Sequence, residues 1–177
     1  SEQKPFFAGM GNDMAKTMFY GDIDAEPDKF MGIAARYNDT SSSTPSSRNV
    51  IKAVSTGATT KKVTSIFIVS MDQFFGIYPK GSKIGLQHTD KGQCTHMNSD
   101  GSMYEVYRDH YKWQAGAALE DWRGVVRVCN IPISDGAVDM GSEDLIKKLI
   151  VAKNRIPSDL RTNLHLFCAE EVHTALE

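Results

Sequence analysis

The sequence has little cysteine, no long apolar run and almost no excess charge of either sign. Its three cysteines, Cys94, Cys129 and Cys168, are odd in number and widely spaced, and no CxxC pair occurs. A disulfide framework uses an even set in a shorter secreted chain, so reduced and mostly packed thiols are expected, as in a cytoplasmic environment. Apolar runs such as Ile66-Phe67-Ile68-Val69 are far too short to cross a bilayer. These residues also hold no charged start followed by an apolar stretch, the mark of a secretory leader. Lys and Arg number 20 against 22 Asp and Glu, a formal charge of −2. That balance argues against a dedicated nucleic-acid binder, which needs clustered positive charge.

What is present is an ordinary globular balance, 41% hydrophobic and 24% charged over 177 residues. The length suits one domain or two small interleaved ones, and a chain of this size buries roughly 70% of the surface its unfolded form exposes. The last residues, with Val172, Ala175 and Leu176 at helical spacing, end without a cap, and the first is Ser1. Those ends lead us to expect a cut piece of something longer.

Residues 6–19 place Phe6, Phe7, Met10, Met14, Thr17 and Met18 on one helical stripe, read as core filler, with the helix ending near Tyr20-Gly21. Residues 21–38 read as ordered loop with one short turn, and the Ser-rich 39–49 as an exposed loop tip. Residues 64–69 are a β-branched run suited to a buried strand, and 75–78 a short one stopped by Pro79 and Gly81. Asn98-Ser99-Asp100-Gly101 is a turn between two arms, 94–97 and 102–112, which predicts a hairpin. Neither alternating set of the second arm is cleanly apolar, so one side is expected to face a partner or the rest of the molecule. Residues 121–131 fit both periods. Trp122, Val125, Val126 and Cys129 follow a helical spacing with Asp121 as N-cap, and the reading leans to helix. Residues 142–156 form a helix capped by Ser142, with Glu143 and Asp144 at its positive end. Its buried stripe is Leu145, Ile146, Leu149, Ile150 and Ala152, and Lys153, Arg155 and Pro157 close it. Residues 164–168 read as a strand leading to a helix at 169–177. Helices and strands mix without a βαβ rhythm, so the class is α+β.

Few groups are placed for chemistry. His88, Cys94 and His96, with Asp90 between them, offer zinc-type ligands, but a closed site needs four ligands at compact spacing. A polar loop entering a hairpin is the simpler reading. Asp109 and His110 with Cys94 suggest a nucleophile set, yet neighbours on a strand point to opposite faces. Gly76, Gly81 and Gly85 around Lys80 and Lys83 lack the order of a phosphate loop, and Pro79 removes a backbone donor. Asp22, Asp24, Glu26 and Asp28 are spaced by two, but Pro27 and Ile33 stand where a calcium loop requires Gly and Glu. Arg108, Arg123 and Arg127 sit among Tyr107, Trp113 and Trp122, where guanidinium groups stack and fork onto oxygens in structural roles.

Several blocks resemble one family. Phe19-Tyr20-Gly21-Asp22, Pro27, Phe30-Met31-Gly32 and Arg36-Tyr37-Asn38 are similar to the major capsid (head) proteins of tailed bacteriophages, the short-tailed phages in particular. So are Gly76-Ile77-Tyr78-Pro79-Lys80-Gly81-Ser82, Gly85-Leu86, Tyr104-Glu105-Val106-Tyr107-Arg108 and His110-Tyr111-Lys112-Trp113. Gly116, Asp121-Trp122-Arg123, Val125-Val126-Arg127 and Asn130-Ile131 complete the match in order. Gly124 stands where the family pattern has an aromatic residue, and 67–71 lacks its Trp-rich strand. The resemblance implies the Hong Kong 97-type fold, with a peripheral-domain long helix and loops in 1–60 and a mixed sheet leading into the axial domain in 61–177. It implies a truncated core, without the N-terminal arm and extended loop of longer members. It further implies self-assembly into hexamers and pentamers of an icosahedral shell around double-stranded DNA held non-specifically, with no catalysis, cofactor or membrane, in a protein made in the bacterial cytoplasm. The structural motif residues would be Tyr20, Gly21, Asp22, Tyr37, Asn38, Tyr78, Pro79, Lys80, Gly81, Arg108, Trp113, Trp122, Arg123 and Arg127. A small metal-binding hydrolase using His88, Cys94 and His96, and a tail or portal adaptor, are the rival readings.

Overall fold

The computed structural model describes residues 3–41, 44–53, 62–134, 137–138 and 145–177. It divides into two compact units, Ser1–Phe75 with Ala117–Glu177, and Gly76–Gly116. The described elements, in chain order, are α1 (Gln3–Tyr20), α2 (Ile33–Arg36), β1 (Val50–Lys52), β2 (Lys62–Ser70), β3 (Phe74–Ile77), β4 (Leu86–Met97) and β5 (Met103–Trp113). They continue with β6 (Gly116–Leu119), β7 (Val125–Ser134), β8 (Ala137–Val138), α3 (Leu145–Arg155), β9 (Leu164–Phe167) and α4 (Glu170–Leu176). The class is α+β, as the residue patterns imply.

The first unit is built on a sheet of order β1-β7-β2-β9, with β8 pairing β7. Strand β7 is parallel to β1 and antiparallel to β2, and β2 is antiparallel to β9. Residues 65–70 are all buried because both faces of the sheet are covered. Ile66, Ile68, Val126, Val128 and Ile131 pack with Leu145, Ala152, Ile156 and Val172 from α3, its exit and α4. Phe67, Val69, Val125 and Cys129 alternate to the other face and meet Ile33, Ala34 and Tyr37. Phe19, from the end of α1, lies 5.4 Å from the Phe67 ring and 5.0 Å from Phe167.

This sandwich corrects the helical reading of 121–131. Asp121 does cap, accepting from the Arg123 amide at 2.9 Å, but it caps only a single 3-10 turn, Trp122–Gly124, which runs straight into β7. Val125 and Val126 are both fully buried because each faces a different layer, which imitates helical spacing. Val-rich sequence favours the strand. Between the pairs Thr64–Ile131 and Ile66–Val128, β7 carries one extra residue. Asn130 absorbs it at φ 60, a left-handed conformation that Asn tolerates better than most residues.

Three other expectations change. In the polar stretch 39–49, Ser47 and Asn49 are buried in a 3-10 helix, Pro45–Asn49, while 42–43 lie outside the described residues. The α1 stripe is not all core: Thr17 is buried, but Phe6 is 53% exposed, because the helix packs on α2 and the sheet through its last turn. On α3, Leu145 and Ala152 are buried and Leu149 packs beside them, whereas Ile146 and Ile150 are exposed. Ile156, at the exit, completes the buried side instead. The proposed caps Ser142, Glu143 and Asp144 lie outside the described residues.

The exposed half of α1 gives a direct test. A Cβ added at Gly9 or Gly11 meets nothing within 4 Å. Gly9→Ala and Gly11→Ala are each expected to stabilise the protein by about 0.5–1 kcal/mol, through helix propensity alone. A lowered melting temperature would show that this helix face is covered.

The second unit is a hairpin of β4 and β5, in register from Leu86–Trp113 to Met97–Met103. Asn98 to Ser102 closes it, with Gly101 at φ 85 where the turn requires it. A bulge on β4 between Asp90 and Gln93 is held by the Asp90 carboxylate, which accepts from the Gly92 amide at 2.7 Å. Both faces of the hairpin are largely open, with Tyr107 85% and Met103 64% exposed. No helix among the described residues is long and apolar enough to cross a membrane.

Candidate functional site

The densest polar arrangement in the first unit surrounds Arg127, whose strand neighbours Val126 and Val128 point to the opposite face. Its guanidinium donates to the Ala34 and Tyr37 carbonyls, each at 3.0 Å, and to Ser65 Oγ at 3.2 and 3.1 Å. It also lies 5.6 Å from the centre of the Phe67 ring. A fixed fork of donors suits this set of oxygens, where an ammonium would reach fewer. Next to it the Tyr37 hydroxyl donates to the Trp122 carbonyl at 2.7 Å. Asn49 Nδ2 donates to the Val125 carbonyl at 2.9 Å. Together these bonds fasten α2 and the 45–49 turn to the start of β7.

Asn49 and Ser65 are not among the residues that sequence reasoning singles out. The one signal for Asn49 is an amide side chain directly before a β-branched strand, inside a stretch whose serines mask it. Trp122, whose size and apolar character suggest a buried position, is 38% exposed, and it is the backbone carbonyl of Trp122 that accepts the Tyr37 hydroxyl. Trp122→Ala should therefore cost less than the roughly 3–5 kcal/mol of a fully buried aromatic. Arg123 folds back on Asp121 at 2.5 Å, and those hydrogen bonds hold the Asp121 carboxyl below the usual range.

Burial pushes the Tyr37 phenol well above the ordinary range; Arg36 opposes the shift and Asp121 adds to it. A raised phenol leaves its stabilising contribution intact below the unfolded value near pH 10, and that contribution is lost as pH climbs past it. Tyr37→Phe is expected to cost about 1–2 kcal/mol at neutral pH, because the Trp122 carbonyl loses its short bond and keeps only the longer one from Asn49 Nδ2 at 3.3 Å. It should also flatten the fall in stability above about pH 10. Urea melts of both proteins at neutral and alkaline pH check this, and equal slopes with pH would contradict it.

A second close arrangement ends α1. The Gly21 amide donates to Thr17 O at 2.8 Å, and Gly21 O accepts from the Gly32 amide at 2.8 Å. Tyr20 sits beside it, half exposed, with its ring edge-on to Phe67 at 5.8 Å. Asp22 is exposed and accepts from the Asp24 amide, and Asn38 is exposed.

In the second unit, Pro79-Lys80-Gly81-Ser82 is a tight turn, closed by the Ser82 amide donating to Pro79 O at 3.1 Å, with Gly81 at φ 85. Tyr78 is half exposed, Arg108 is exposed on β5, and Trp113 pairs with Leu86 at the hairpin base. His88 Nε2 is 2.8 Å from Asp109 Oδ1, and its ring stacks on Tyr111 at 4.8 Å. His96 instead packs edge-on against Tyr104. Among the described residues no three His, Cys, Asp or Glu side chains gather where they could hold a metal ion. Cys129 is buried and Cys168 half-buried; burial raises both thiols, so neither is primed as a nucleophile.

The motif residues thus fall into separate clusters. Tyr37, Trp122 and Arg127 come together, Gly21 closes on Gly32, and Tyr78 to Gly81 belong to the other unit. Of these, Tyr37 and Arg127 donate from their side chains to backbone carbonyls, and Gly21 bonds through its own backbone. Compared with known families, the whole chain, residues 1–177, matches the family described as Major capsid protein GP7. The chain belongs to that family. A search of curated proteins found no match. The capsid protein is a structural component of a bacteriophage virion, and its role is to assemble with itself into the shell. The bracing around Arg127 fits that role, because a shell subunit must present fixed surfaces to its neighbours.

Proposed function

We propose that this capsid protein has the Hong Kong 97-type fold and tiles, as hexamers and pentamers, an icosahedral head around double-stranded DNA in a short-tailed phage. Residues 1–60 then supply the peripheral-domain helix and loops, and 61–177 the mixed sheet leading into the axial domain. The protein is made in the cytoplasm of the bacterial host, contacts DNA non-specifically and catalyses nothing. One observation carries the reading: the family match extends over the whole chain, 1–177. The mixed α+β architecture with an 18-residue first helix agrees with it. The motif residues act in it as braces of the subunit, as the bonds of Tyr37 and Arg127 illustrate.

Electron microscopy of particles from cells expressing the full reading frame tests the proposal. Closed icosahedral shells are expected, and tubes, rings or portal-like assemblies would refute this geometry. Chelator is expected to leave the melting temperature unchanged. A large drop would bring back a structural metal at His88, Cys94 and His96, since such sites fold with their ion.

A further inference from the structure

The second unit contains a cleft of about 760 Å³ between the 79–84 turn and the base of the hairpin. Lys80, Lys83 and Lys112 line it together with polar side chains, and no carboxylate is among the lining residues. None of the three ammonium groups has an ion-pair partner among the described residues. Ile84, also in the lining, is 74% exposed, an apolar spot inside a basic rim.

The same chain carries the complement. Residues 22–28 are all exposed and hold Asp22, Asp24, Glu26 and Asp28, of which only Glu26 forms an ion pair among the described residues, with Lys29. Between the first two carboxylates Ile23 is 47% exposed. Each surface therefore shows one exposed isoleucine flanked by charge, negative on the loop and positive in the cleft. We propose that the basic cleft of one copy receives the 22–28 loop of a second copy. Carboxylates of the loop would meet the cleft lysines, and Ile23 would cover Ile84. The inference rests on the shell-forming reading above and names one contact within it. A loop this short buries less than a stable interface requires, so it sets register within a larger contact. A nucleic-acid phosphate is the other anion to consider, but the cleft is compact, not an extended basic stripe, and the chain as a whole is slightly acidic.

The test is a charge swap on the 177-residue chain, read by sedimentation at low and high salt. Lys80→Glu with Lys83→Glu, and separately Asp24→Lys with Asp28→Lys, should each weaken self-association by about tenfold or more. The four substitutions combined in one chain should restore it. Arg48→Glu, an exposed residue of the first unit that lines a different surface with Arg123 and Arg155, should leave it unchanged. High salt should reduce the differences among the proteins, since exposed charges are screened. A carbodiimide reagent should join Lys80 or Lys83 to residues 22–28 between isotopically distinct copies. Any variant that melts below the parent is replaced by its Gln or Asn counterpart. Failure of the fourfold chain to recover, or a chain that neither associates nor cross-links at these residues, overturns the proposal. Loss of DNA retardation by the lysine variant with self-association unmoved overturns it as well, and assigns the cleft to nucleic acid. Particle imaging of the full reading frame judges the shell-forming reading independently.

Discussion

Arg127→Met is expected to destabilise the capsid protein by about 2–4 kcal/mol, because it keeps the stem but removes the fork that four bonds depend on. The Ala34 and Tyr37 carbonyls lose their donor inside a partly buried layer, where water replaces it poorly. Ser65 Oγ loses two donors at once, and Phe67 loses the cation beside its ring. Arg127→Lys should recover only part of the loss, since one ammonium does not span Ser65 and both carbonyls. Urea denaturation with an unchanged slope checks the size of the effect. A loss for Arg127→Met below about 1 kcal/mol would mean that α2 is held to the sheet by apolar packing alone.

How far the sequence anticipates this depends on the kind of signal each residue sends. The hairpin is legible because Asn98 to Gly101 are turn-forming residues between two strand-like arms, with Gly101 supplying the positive φ the turn needs, and the register follows from it. The exit of α3 is legible too, since Pro157 leaves the helix no continuation. Strand β7 is not, because a strand buried on both faces loses its alternation and Asp121 caps a turn that goes no further. Ile146 and Ile150 look like core for a related reason: apolar spacing shows which residues share a helix face, not whether anything covers it. On a shell subunit some apolar faces are left for neighbouring copies.

The Arg127 arrangement is half visible. Arginines near aromatic residues point to structural bonding, but their partners do not show. The partners of Arg127 are two backbone carbonyls and one small polar side chain, Ser65, 62 residues away, and the neighbouring Asn49 bonds the Val125 carbonyl across 76 residues. Nothing local in composition encodes such a meeting. Trp122 misleads because size and hydrophobicity suggest burial, whereas the fold uses its carbonyl and leaves the ring at the surface.

Gly32→Ala is expected to be severely damaging for so small a substitution, at about 3 kcal/mol or more, with much of the protein lost as insoluble material. The argument is one of space. A Cβ built on Gly32 lies 2.7 Å from the Gly21 amide nitrogen, 2.8 Å from Thr17 O and 2.9 Å from the Phe19 carbonyl carbon. All three are backbone atoms, so no side chain can rotate away. Relief requires the segment after α1 to part from the segment before α2, which breaks the Gly32–Gly21 hydrogen bond and draws Phe19 off Phe67 and Phe167. Gly21→Ala meets the same wall from the other side, at the Phe30 and Thr17 carbonyls. The two substitutions act on one contact, so their combined cost should fall short of the sum. Gly9→Ala, earlier in the same helix, makes the same chemical change in open space and is expected to raise the melting temperature. Parallel melts of the three variants, with the soluble yield of each, separate crowding from any general effect of adding a methyl group. If Gly32→Ala melts with the parent, the chain does not cross this closely at Gly21, and the end of α1 is held by its aromatic contacts alone.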